Sequence, residues 1–149
     1  MSSWSQASEA MRKAIRETVV PSLRAIGFKG SFPHFSRPTA TRIDLLTFQF
    51  SQFGPDLYIE VASCPPEGVV DPGGSTIPPD KVRTHHVGLL RRRIGPQPSL
   101  DFGDITDAAN GRPLAERVAA AIAGEGEPWW ANPQSNLPPN TSLERARDR

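Results

Sequence analysis

Four residues of this chain are suited by type to hold a metal or to attack an electrophile: His34, Cys64, His85 and His86. A zinc site draws on ligands paired at fixed spacing, such as C-x2-C or H-x3-H, and none of these pairs occurs here. Adjacent histidines on a strand point to opposite faces. His85-His86 therefore reads as a half-buried ring beside an exposed one, and no metal is expected. Cys64 with His86 as base would make a nucleophile pair. Against it stands the common role of a free cysteine as a small apolar residue at a strand end. No G-x-S-x-G elbow is present. Asp101, Asp104 and Asp107 suggest a divalent cation, but they lack the EF-hand spacing and suit turns and caps equally well. Gly73-Gly74-Ser75-Thr76 lacks both a Walker lysine and a G-x-G-x-x-G run, so no nucleotide cofactor is expected. Arg91-Arg92-Arg93 can donate in bidentate fashion to a phosphate or carboxylate; the plainer reading is a solvated, partly paired charge run.

The most legible element that would position such groups is a hairpin from Arg42 to Ser63, turning at Phe53-Gly54-Pro55-Asp56. In its first strand Leu46, Phe48 and Phe50 share one face, and Thr47, Gln49 and Ser51 the other. In its second strand Leu57, Ile59 and Val61 lie opposite Tyr58 and Glu60. Period-two alternation of this kind predicts a sheet covered on one side only. The polar faces then form one surface carrying Gln49, Ser51, Tyr58 and Glu60. An adjoining strand would add His86 and Arg93, and this surface is the expected binding site.

Around the hairpin, Trp4 to Ile26 shows helical spacing of Met11, Ala14, Ile15, Thr18, Val19, Leu23 and Ile26. Ser3 is the expected N-cap, Pro21 a kink or restart, and Gly27 the stop. Phe28 to Ser36 is expected as one short strand, held to an edge by Pro33. Cys64 to Asp80 is expected as an irregular loop. Lys81 to Ile94 suggests a further strand or pair, and Leu100 to Ile105 a short one. Pro113 to Ala123 reads as a second helix with Pro113 at its first position and Gly124 after its end. Trp129-Trp130 should dock on the core. Asn132 to Arg149 is nearly free of apolar residues and is expected as a disordered tail, leaving one domain over residues 1–131.

The chain has 149 residues and a net charge of +1, with 37% hydrophobic and 22% charged residues. That length suffices for one domain burying about 70% of its unfolded surface. A balanced charge argues against general binding to nucleic acid or anionic lipid. One cysteine, no apolar leader at the start and no apolar run of membrane length point to the cytoplasm.

The order of these motifs resembles the bacterial domain of unknown function 4304 family. It runs from a helix ending in L-x-x-x-G-F (Leu23 to Phe28) through an aromatic strand, Phe48-Gln49-Phe50-Ser51 and a second hairpin strand. A His-containing segment with Arg-Ile-Gly follows (His86 to Gly95), then D-F-G-D-I (Asp101 to Ile105), a helix and a Trp pair. The resemblance covers about residues 8 to 131. It implies an α+β fold and a bacterial cytosolic setting, and no reaction. The fold expected is thus α+β: an antiparallel sheet of four to five strands with an N-terminal and a C-terminal helix packed on one face. The function expected is a non-catalytic binding or accessory protein whose partner is another protein, a toxin-neutralising partner being one concrete form by analogy of size. The competing reading is a small hydrolase or nucleic-acid-processing enzyme using His86, Glu60 and Arg93, with Cys64.

Overall fold

The computed structural model describes residues 3–134; the expected Ser3 side-chain cap and, of the tail expected from Asn132 to Arg149, residues 135–149 lie outside the described residues. The N-terminal helical stretch is two helices, α1 (Ser3–Thr18) and α2 (Val20–Ala25). Pro21 falls in the first turn of α2, where its missing N–H costs no ladder bond. Gly27 stops α2 at φ +98°, and the Phe28 N–H donates to the Leu23 carbonyl at 3.0 Å, a left-handed C-terminal closure. Met11, Ala14, Ile15, Val19 and Leu23 are buried as their spacing predicts. Ile26 is exposed instead, because the chain has already left the helix there.

One antiparallel sheet has six strands, more than the four to five expected. They are β1 (Lys29–Ser31), β2 (His34–Pro38), β3 (Ile43–Phe50), β4 (Asp56–Cys64) and, beyond a separate hairpin, β7 (Arg91–Ile94) and β8 (Leu100–Asp101). The order is β1-β2-β3-β4, with β7 and β8 both paired to the other edge of β4. Phe28 to Ser36 is therefore not one strand. It folds back at Phe32-Pro33, so that Ser31 pairs with His34. Pro33 sits in that turn, where it needs no partner for its nitrogen. Pairing of β3 with β4 runs from Ile43↔Cys64 to Phe50↔Leu57.

The segment from Cys64 to Asp80 is not wholly irregular: β5 (Val69–Val70) and β6 (Thr76–Ile77) form a small hairpin. Its turn uses Gly73-Gly74 and the Asp71 carboxylate, which accepts from the Ser75 N–H at 2.9 Å. In the stretch from Lys81 to Ile94 only β7 is a strand; Thr84–His86 is a 3-10 turn.

The C-terminal helix begins earlier than Pro113. α3 spans Ala108–Ala121, capped by Asp107, whose carboxylate accepts from the Asn110 N–H at 2.7 Å, and Pro113 lies inside it. Gly124 does not end the helix. The chain passes through a π-helical turn, Ile122–Gly126, into α4 (Glu127–Ala131). Asp101 likewise serves a turn, accepting from the Gly103 N–H at 2.8 Å.

Helices and sheet enclose the main core. Met11, Ile15 and Leu23 meet Leu46, Phe48, Ile59 and Val61 from the sheet and Val118, Ile122 and both tryptophans from the C-terminal helices. Trp130 is fully buried and donates its indole N–H to the Ala62 carbonyl at 3.1 Å, tying α4 to the central strand. A buried carboxylate closes the same end. Asp44 is inaccessible and accepts from Arg37 and Arg42, and Arg37 also pairs with Glu127 of α4.

The second face of the sheet is not open along its whole length, contrary to expectation. Ile43, Leu45, Ala62 and Cys64 form a smaller cluster under Val82 and Val87, with Val69 and Ile77 against it. The 64–90 segment thus covers the half of that face near Cys64. The reason lies in β3: Ile43 and Leu45 share the parity of Thr47 and Gln49, and Leu45-Leu46 are both buried. A run of six buried residues from Ile43 to Phe48 marks a strand packed on two sides.

Candidate functional site

The uncovered half of the second face carries the polar residues. Register places Gln49 opposite Tyr58 and Glu60 opposite Arg93, so four expected site residues are cross-strand neighbours on β3, β4 and β7. They interact. The Arg93 guanidinium lies 3.9 Å from the centroid of the Tyr58 ring and reaches the Gln49 side-chain oxygen Oε1 at 3.4 Å. Glu60, left by Arg93, pairs with Arg91 at 3.5 Å. Arg91 in turn donates to the carbonyls of Thr84 and Val87, which anchors the 3-10 turn above the sheet. Beside this row lies an open groove of about 550 Å³ lined by Glu60, Arg91, Arg92, Arg93, Gln97 and Glu125.

Two expected residues are placed elsewhere. Ser51 is past the end of β3, and its hydroxyl accepts from the Phe53 N–H at 3.0 Å, so it shapes the hairpin turn. His86 is not on an adjoining strand. It belongs to the 3-10 turn, and its Nδ1 accepts from the Arg83 N–H at 2.9 Å. The turn also undoes the expectation that His85 and His86 diverge: their ring centroids are 4.1 Å apart. His34, facing them from β2, is 6.3 Å from His85. All three histidines of the chain thus gather on one side of the sheet. Among the described residues no group of three or more His, Cys, Asp or Glu is arranged to hold a metal ion.

Sequence reasoning missed the polar chain beneath them. Thr84 donates its hydroxyl to Thr47 at 2.9 Å, and Thr47 lies 3.0 Å from His34 Nδ1. Thr84 and Thr47 are both buried, so this chain fixes the 3-10 turn over the sheet. The parity of Thr47 with Glu60 and of His34 with Thr47 was the available signal; the turn at Thr84 had none, because three residues show no period.

Electrostatics divide the candidates further. Burial first, then the charges of Arg83, His85 and His86, push the His34 pKa down. His85 is lowered likewise, by burial and then by His86, Arg83 and Arg91, with Glu60 opposing. The Cys64 thiol is pushed up to about 11 by burial and by Glu67. It sits in the small apolar cluster, and among the described residues it has no hydrogen bond to a histidine. A thiolate nucleophile needs the reverse environment, electropositive and partly exposed.

A family model described as a domain of unknown function (DUF4304) matches residues 19–132. No curated protein and no solved structure matches the chain. No helix among the described residues is long and apolar enough to cross a membrane.

Proposed function

The chain belongs to the DUF4304 family, and on that premise we propose that it is a non-catalytic binding protein of the bacterial cytoplasm that recognises another protein through the Tyr58–Arg93 face. The observation that carries this reading is the stack of Arg93 on Tyr58, steadied by Gln49. Tyrosine and arginine are the residue types that concentrate binding energy at interfaces. Here they are held side by side on rigid strands, so little rotamer freedom is lost on docking. Glu60 and Arg91 add a charged pair at the rim, suited to orienting a partner. A toxin neutralised by this chain is one form such a partner would take.

The hydrolase reading receives less support. Its nucleophile, Cys64, is buried and its thiol is pushed up, while His86 uses Nδ1 to hold its own turn. The test is a pair of baits, wild type and a Tyr58→Ala, Arg93→Ala double variant, incubated with lysate of the native host. A specific protein captured by the wild type and lost by the double variant, with circular dichroism unchanged, is the expected result. Equal recovery by both baits removes the Tyr58–Arg93 face from the account.

A further inference from the structure

A second site lies across the 3-10 turn from the Tyr58–Arg93 face. Between β1, β2 and the 80–86 segment is a cleft of about 480 Å³, whose lining includes Ser31, His34, Lys81, Arg83, His85 and His86. Small-molecule sites occupy roughly 300–1,000 Å³. We propose that this cleft binds a small oxyanion ligand, inorganic phosphate or a phosphorylated metabolite.

Charge carries the inference first. Among the lining residues Asp80 is the one carboxylate, against the two standing cations Lys81 and Arg83; the three histidines add ring donors. Among the described residues neither Lys81 nor Arg83 has a carboxylate within ion-pair distance. Elsewhere in the fold Arg37 and Arg42 are paired with Asp44, and Arg91 with Glu60. An unbalanced cationic concavity is what an anion fills.

Donor geometry carries it second. Ser31 and His34 are cross-strand partners, so the hydroxyl and the ring stand on one face. His86 Nδ1 accepts a backbone N–H, which leaves Nε2–H as the donor of the neutral ring. Thr47 and Thr84 hold His34 and the turn in place. Arg83 supplies a planar fork matched to two oxygens of a phosphate, and Lys81 a mobile charge. The lowered pKa values of His34 and His85 fit this reading, since their second cause after burial is mutual repulsion with Arg83 and the other rings. Glu60 opposes that repulsion at His85 alone. A bound dianion would reverse it for both. The residues involved are not those of the protein-binding face, so either proposal can fail without the other.

The experiment follows the histidine ring signals of the full chain by NMR while inorganic phosphate is added, against chloride at equal ionic strength. Saturable shifts of His34 and His85 with phosphate, and a rise in their titration midpoints, are expected. Arg83 is exposed, so Arg83→Gln should fold as the wild type does. It should weaken binding roughly tenfold to a hundredfold, the loss of a charge-assisted pair. Lys81→Gln is the second variant and should weaken it in the same direction. A parallel titration with glycerol phosphate identifies the source: tighter binding of the ester assigns a phosphorylated metabolite, and tighter binding of the free ion assigns inorganic phosphate. Equal shifts with chloride, or unchanged affinity in both variants, would overturn the proposal.

Discussion

Replacing Phe48 by alanine should separate the core face of the hairpin from its recognition face. Phe48 is 2% exposed and stacks on Phe32 at a centroid distance of 5.7 Å, with Phe35 edge-on at 6.0 Å. Its register partner Ile59 is also buried, so the ring is enclosed by neighbours in the sheet and by α1 beneath it. Neighbouring strands cannot close over the space left, because their spacing is set by hydrogen bonds. Truncation therefore loses both transfer energy and packing, about 3–5 kcal/mol for a buried phenylalanine. Phe53, at the tip of the same hairpin, is the internal control. It is 93% exposed, and its replacement should change stability by no more than ~0.5 kcal/mol. Urea denaturation of wild type, Phe48→Ala and Phe53→Ala, followed by tryptophan fluorescence, measures all three. A loss below ~1 kcal/mol at Phe48, or equal losses at the two sites, would refute the assignment of faces. The proposed binding surface would then move to the other side of the sheet.

Other consequences follow from buried charge and from titration. Asp44→Ala should destabilise by roughly 3 kcal/mol in the same denaturant assay, the low end for a broken buried pair, since Arg37 keeps Glu127 while Arg42 loses its carboxylate. His34 and His85 have lowered native pKa values, so below about pH 6.5 the unfolded chain binds more protons than the native one. Their contribution to stability should be complete above that pH, fall as pH drops from there towards the native values, and disappear from the difference curve of a His34→Gln, His85→Gln double variant. Cys64, with its thiol at about 11, should react with a disulfide reagent near pH 8 far more slowly in the native protein than in urea.

The hairpin, both helices and the core side of each were legible because period and parity are local properties. Leu46, Phe48 and Phe50 face Leu57, Ile59 and Val61 as alternation requires. Four of the six expected site residues meet for the same reason: Gln49, Tyr58, Glu60 and Arg93 are placed by pairing register. Ser51 failed because alternation was extended one residue past the end of β3. His86 failed because a 3-10 turn of three residues carries no period and was read as strand. The covered half of the second face was foreshadowed by Ile43 and Leu45, whose parity contradicts a wholly polar face. The early start of α3 was masked by Pro113, read as a first residue although Asp107 supplies the cap. The network around Asp44 was only half legible: Arg42 lies two residues away, but Arg37 and its second partner Glu127 come from other segments.

The most direct test of the binding account is the affinity of the purified host partner, identified by capture with wild-type bait, measured by titration calorimetry against wild type and against the Tyr58→Ala, Arg93→Ala variant. If the Arg93–Tyr58 stack is the energetic centre of the surface, the double variant should lose at least ~2 kcal/mol of binding free energy, the usual threshold for a hot spot. Equal affinity for both proteins, with equal thermal stability, would contradict the account.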